Sequence, residues 1–194
     1  MSTPNLTHIL TQAVDTLSEQ QSLNGLFHQH RDGNPLPSGK ALEEIIGLSR
    51  SILFPGFYGK SSVNIRTIRY HIGVNVERLH KLLSDQILAG LCFCKTCEDE
   101  SYQELSEKRD KAEHLAAELI SRLPKIRKTL ATDVVAAYNG DPAAESYGEI
   151  ISCYPVIKAL TNYRIAHELI ELDVPLIPRM MAEMAHSETG IDIH

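Results

Sequence analysis

The stretch from Ser146 to His194, SYGEIISCYPVIKALTNYRIAHELIELDVPLIPRMMAEMAHSETGIDIH, carries two different periodicities. Between Pro155 and about Leu172 the apolar residues Val156, Leu160, Tyr163, Ile165, Ala166, Leu169 and Ile170 cover much of a helix surface. Pro155 suits a helix start, where a missing N–H removes no bond. Pro175 predicts the start of a last helix that fades near His186. The closing Gly190-Ile191-Asp192-Ile193-His194 alternates as a strand does, with Asp192 and His194 on one face. A strand starting there has nothing in a helical chain to pair with. The pattern predicts an all-α, multi-helix body over residues 1–188 and, at 189–194, the first residues of a second domain. The chain is therefore expected to be the front end of a longer protein.

Upstream, Tyr138-Asn139-Gly140-Asp141-Pro142 is strong turn chemistry. A short helix is predicted over 142–152, and Asp141 at its mouth fits a capping carboxylate. Residues 102–121 read as one helix, and Pro124 marks the first turn of the next, over 124–138. A long helix is predicted over 62–91, with Ile65, Ile68, Ile72, Val76 and Leu79 on its stripe. Ser38 caps a helix carrying Leu42, Ile45, Ile46, Ser49, Ile52 and Leu53, which ends at Phe54-Pro55-Gly56. Residues 18–37 read as connection, after a first amphipathic helix with Leu6, Ile9, Leu10, Val14 and Leu17.

Composition narrows the class of function. The 194 residues are 43% hydrophobic and 23% charged, as in ordinary globular domains. A net charge of −6 argues against a phosphate-backbone footprint, so no nucleic acid is expected. No apolar run approaches the roughly 20 residues needed to cross a bilayer, and the N-terminus lacks a signal-peptide pattern. A cytoplasmic protein with no membrane partner is expected.

Metal and redox chemistry have weak support. Cys92, Cys94 and Cys97 lie in LCFCKTC, but a structural zinc site needs a second ligand pair and a redox CxxC follows a strand. Small buried thiols at a helix end are expected instead. His28 and His30 fall in a loop without partners in register. His167-Glu168-Leu169-Ile170-Glu171 imitates the helical zinc motif, with Glu171 in the second histidine's place. A partly buried His167, hydrogen-bonded within the bundle, is the expectation, and metal ligation by His167, Glu168 and Glu171 with Cys94 and Cys97 the alternative.

Asp141-Pro142-Ala143-Ala144, then Tyr163-Arg164-Ile165-Ala166-His167, then Ile191-Asp192-Ile193-His194 resemble, in order and spacing, the motifs of serine O-acetyltransferases. The match is carried by the C-terminal fifty-odd residues. The resemblance implies a helical domain followed by a left-handed parallel β-helix of hexapeptide repeats that binds acetyl-CoA between subunits. It implies no cofactor bound to this chain, acetyl-CoA being the co-substrate of L-serine. It also implies a catalytic histidine beyond His194, oriented by Asp192, with Asp141 lining the serine site and His194 at the domain junction or site. Its further implications are a homo-oligomer, trimeric or hexameric, and docking of O-acetylserine sulfhydrylase on a C-terminal tail absent here. A chain lacking the histidine is expected to be inactive alone. A purely helical assembly module is the rival reading.

Overall fold

The computed structural model describes residues 5–27, 36–59, 62–93 and 102–193. His28, His30, Cys94, Cys97 and His194 lie outside them. The chain divides into two compact units, residues 1–33 and 34–194.

The first unit carries α1, Leu6–Ser18, capped by Asn5, whose Oδ1 accepts a hydrogen bond from Thr7 N–H at 3.2 Å. Its stripe of Leu6, Ile9, Leu10, Val14 and Leu17 is exposed along its whole length. Helical spacing alone does not bury a face; a second face must meet it.

The second unit is built from α2 (Gly39–Leu53), α3 (Ile68–Phe93), α4 (Tyr102–Gly140), α5 (Tyr147–Cys153), α6 (Pro155–Glu171) and α7 (Ile177–Thr189). No strand occurs among the described residues, and residues 191–193 are coil. α3 packs on α4, α6 on α7, and α4 joins the two pairs by packing against α6. Leu42, Ile45, Leu83, Ile87, Leu130, Ile165 and Leu169 are fully buried in one continuous core. At about 25 cal/mol per Å² of apolar surface removed from water, such residues dominate the stability of the unit.

Local chemistry sets the boundaries. Ser38 Oγ accepts from Ala41 N–H to cap α2, and Ser38 N–H donates to Gln86 Oε1 on α3 at 2.7 Å. After α2 the chain turns through Gly56 and Gly59, both at positive φ. A Cβ at Gly59 would lie 2.6 Å from Ser51 Oγ, so that turn needs glycine for space as well as conformation. Tyr58 then donates its O–H to Ile151 carbonyl at 2.7 Å, tying the turn to α5.

Several sequence expectations are corrected here. α3 begins at Ile68 rather than near 62, because Asn64 Oδ1 captures the N–H groups of Arg66 and Thr67 in a turn. Ile65 is left 89% exposed and off the stripe. Pro124 opens no new helix: α4 runs unbroken through it. Pro124 faces solvent, and the buried series Ala112, Ala116, Leu119, Leu123, Ile126, Leu130, Val134 keeps three- and four-residue spacing across it. Packing of that seam carries the helix across the lost backbone bond. Residues 142–146 are turn and coil, and α5 starts later, capped by Ser146 Oγ on Glu149 N–H. α7 starts at Ile177 with Pro178 in its first turn, and continues to Thr189. Leu176 before it has φ 64, a positive value uncommon for leucine, and Gly190 closes the helix in the left-handed conformation at φ 70. A Cβ at Gly90 on α3 would lie 2.7 Å from Pro175 carbonyl, so the turn into α7 seats directly on that glycine.

Candidate functional site

Asp141 follows the last turn of α4 and caps no helix. Its Oδ1 accepts from Ala143 N–H at 2.9 Å, forming a local turn. Its Oδ2 accepts from the Tyr154 hydroxyl at 2.5 Å. Tyr154 sits between α5 and α6, where its own N–H bonds Ile150 carbonyl. The phenol's hydrogen bond, then the Ala143 amide, hold the Asp141 carboxyl below its ordinary 3.8. The same bond pushes the phenol up to about 12.

On α6, Arg164 makes two hydrogen bonds with Asp133 of α4, at 2.7 and 2.6 Å. Glu168 accepts from Arg122 at 2.8 Å, and that bond chiefly lowers its carboxyl pKa. Both residues thus lock α6 onto α4. His167 differs from expectation: it is exposed and stacks on Tyr163, ring centroids 6.0 Å apart at 20°. One turn of helix brings the i, i+4 rings together on the face of α6 that borders α7. Glu168 points instead at α4. Among the described residues no group of three His, Cys, Asp or Glu side chains could hold a metal ion. Cys92 is buried, and Cys153, next to Tyr154, is exposed.

A groove of about 480 Å³ lies between α6 and α7, and Ile191, Asp192 and Ile193 of the tail contribute to its lining. Tyr163, His167, Arg179, Glu183 and Asp192 supply its polar lining, and Ala166, Ile170 and Ile193 part of its apolar floor. Asp192 itself is exposed. The tail's point of departure is fixed by a polar cluster. Arg50, only 8% exposed on α2, donates to Glu188 at 3.1 and 2.7 Å and to Asn162 Oδ1 at 3.1 Å. Lys158 of α6 donates to the same Glu188 at 2.9 Å. The hydrogen bond from Arg50 is the main reason the Glu188 carboxyl lies below its ordinary 4.5.

Of the two carboxylates singled out from sequence, Asp141 is tied to the residue preceding α6. Asp192 leaves α7 beside the first turns of α6, where Lys158 meets Glu188. Both stand at that end of the α6–α7 pair, but Asp141 is not part of the groove lining that includes Asp192. Sequence reasoning missed Tyr154, Arg50 and Glu188. Arg50 left a faint signal, a cation beside the buried Ser49 and Ile52 of α2; Tyr154 and Glu188 left none, because their partners lie 13 and 138 residues away.

No protein-family model matches the chain. A serine acetyltransferase encoded on a plasmid of Synechococcus elongatus is 41% identical over 160 residues, 82% of this chain and 50% of that protein. A serine acetyltransferase of Mycobacterium tuberculosis is 42% identical over 62 residues, 32% of this chain and 27% of that protein. Among solved structures, serine acetyltransferase 1 of Entamoeba histolytica in complex with L-cysteine aligns with a TM-score of 0.61 at 30% identity. That alignment covers 93% of this chain and 57% of the other. The chain thus spans about half the length of the cyanobacterial plasmid protein. No helix among the described residues is long and apolar enough to cross a membrane.

Proposed function

Because the chain is a relative of the serine acetyltransferases in sequence and fold, we propose that it is the helical scaffold and part of the serine site of such an enzyme. The reaction is acetyl transfer from acetyl-CoA to the hydroxyl of L-serine, giving O-acetylserine and CoA. The observation that carries the proposal is the 41% identity over 82% of the chain, with the DPA, YRIAH and DIH segments in order.

Acetyl transfer needs a base for the serine hydroxyl, a group that orients the base, and a hold on the amino acid. Asp141 supplies the hold, its carboxylate facing the substrate ammonium. Asp192 orients a histidine supplied by sequence beyond residue 194, fixing its tautomer. That histidine takes the hydroxyl proton as the serine oxygen attacks the thioester carbonyl and the C–S bond breaks. His194 belongs to the domain junction or to the site, and residues 1–188 and 189–194 divide between the helical domain and the second domain. The setting is cytoplasmic, and O-acetylserine sulfhydrylase is the expected protein partner.

Self-association is part of the same proposal. The exposed apolar stripe of α1 supports a homo-oligomer, trimeric or hexameric, in which that helix meets another copy. The test is CoA release from the complete gene product with acetyl-CoA and L-serine, beside the 194-residue chain. The complete protein is expected to turn over and the 194-residue chain to be inactive. Failure of the complete protein to acetylate serine would refute the assignment.

A further inference from the structure

We propose that Tyr154 is a positioning residue for Asp141, holding its carboxylate in the one orientation that receives the primary ammonium group of the amino-acid substrate. The inference rests on the reading of Asp141 given above and adds a residue to it.

Tyr154 is the residue before α6, and its side chain makes no capping bond to that helix. Its hydroxyl instead reaches back to Asp141 Oδ2, while Ala143 N–H occupies Oδ1. Each carboxylate oxygen therefore has one donor from the chain and one lone pair left over. The contrast with the carboxylates Asp133, Glu168 and Glu188, which join one helix to another, is informative. Asp133 faces Arg164, Glu168 faces Arg122 and Lys125, and Glu188 faces Arg50 and Lys158. Each of those charges is cancelled by a cation. Asp141 is held by two neutral donors, with no Lys, Arg or His in contact among the described residues. Its geometry is fixed and its negative charge is left for a ligand. A phenol is well matched to this position. Because it stays a neutral donor up to about 12, it orients the carboxylate without competing for the cation. An arginine in its place would hold Asp141 equally well and neutralise it.

In the complete enzyme, Tyr154→Phe keeps the ring and removes only the donor. The KM for L-serine is expected to rise roughly tenfold, the size of one lost charge-assisted hydrogen bond. The kcat should stay within about twofold and the KM for acetyl-CoA should not move. The contact itself is tested without altering Tyr154, by following its ring carbon by NMR at alkaline pH. Titration near 12 in the wild type, falling toward 10.0 in Asp141→Asn, is expected. An unchanged serine KM in Tyr154→Phe overturns the proposal, as does equal damage to both KM values or no change in the Tyr154 titration. If Asp141→Asn impairs serine use while Tyr154→Phe does not, only the positioning role fails. If Asp141→Asn itself behaves as wild type, the underlying reading of Asp141 fails first.

Discussion

Asp141 and Asp192 stand at the same end of the α6–α7 pair but are held in different ways. Asp141 is fixed through its own oxygens, by a phenol and an amide within 13 residues of chain. Asp192 is placed from behind: Gly190 ends α7, and Lys158 and Arg50, the latter also bonded to Asn162, clamp the final helical turn through Glu188. The difference teaches that, on the proposed reading, the carboxylate that would hold substrate is fixed by two neutral donors within its own turn, whereas the one after α7 takes its position from the helix that carries it.

Substitutions separate the two modes. The largest effect is expected for Asp192→Asn in the complete enzyme, a fall in kcat of roughly 10³- to 10⁴-fold, as for a base left in the wrong tautomer. The serine KM should change little, which steady-state kinetics would check. Asp141→Asn should instead cut kcat/KM for serine by roughly ten- to hundredfold, chiefly through KM. If both variants show the same pattern, the proposed division of labour is wrong.

Stability changes come next in size. Arg50→Ala leaves Glu188 with Lys158 alone and removes the donor to Asn162 Oδ1, and is expected to destabilise the chain by about 2 kcal/mol in urea unfolding. That is below the roughly 3–5 kcal/mol of a fully buried pair, because Glu188 keeps solvent contact. Its kinetic damage should fall on kcat, through Asp192, and leave the serine KM near wild type. Gly90→Ala pushes the turn before α7 off α3 and should cost about 1–2 kcal/mol.

The smallest effect is a dependence on acid. Glu188 and Glu168 have folded-state pKa values below the ordinary 4.5, so their pairs contribute fully above about that pH. The contribution is lost as pH falls through the lower folded values. Melting temperatures should decline below about pH 4.5, and Glu188→Gln should flatten that decline. An equally steep decline in the variant would show that Glu188 has no part in it.

Much of this architecture was legible because local patterns and packing agree. The stripe of α2 names its buried residues, and Ser38 caps it where a short polar side chain precedes apolar periodicity; on α6 only Ile165, Ala166 and Leu169 of the expected stripe are buried, and Ile170 is exposed. Pro124 misled because proline chemistry speaks only of the backbone, whereas the seam from Ala112 to Val134 spans it. His167 misled because a histidine amid apolar neighbours suggests burial, yet its helical phase puts it outside with Tyr163. The site was half legible. Asp141 and Asp192 are visible as motif members, but Tyr154, Arg50 and Glu188 act across helices, and such contacts have no periodicity to read.

The most direct test of the two-carboxylate account is a crystal structure of the complete protein with L-serine bound. The expected result is the serine ammonium within hydrogen-bonding distance of Asp141, with Asp192 bonded to a histidine that faces the serine hydroxyl. Serine bound elsewhere, with either carboxylate directed away from it, would contradict the account.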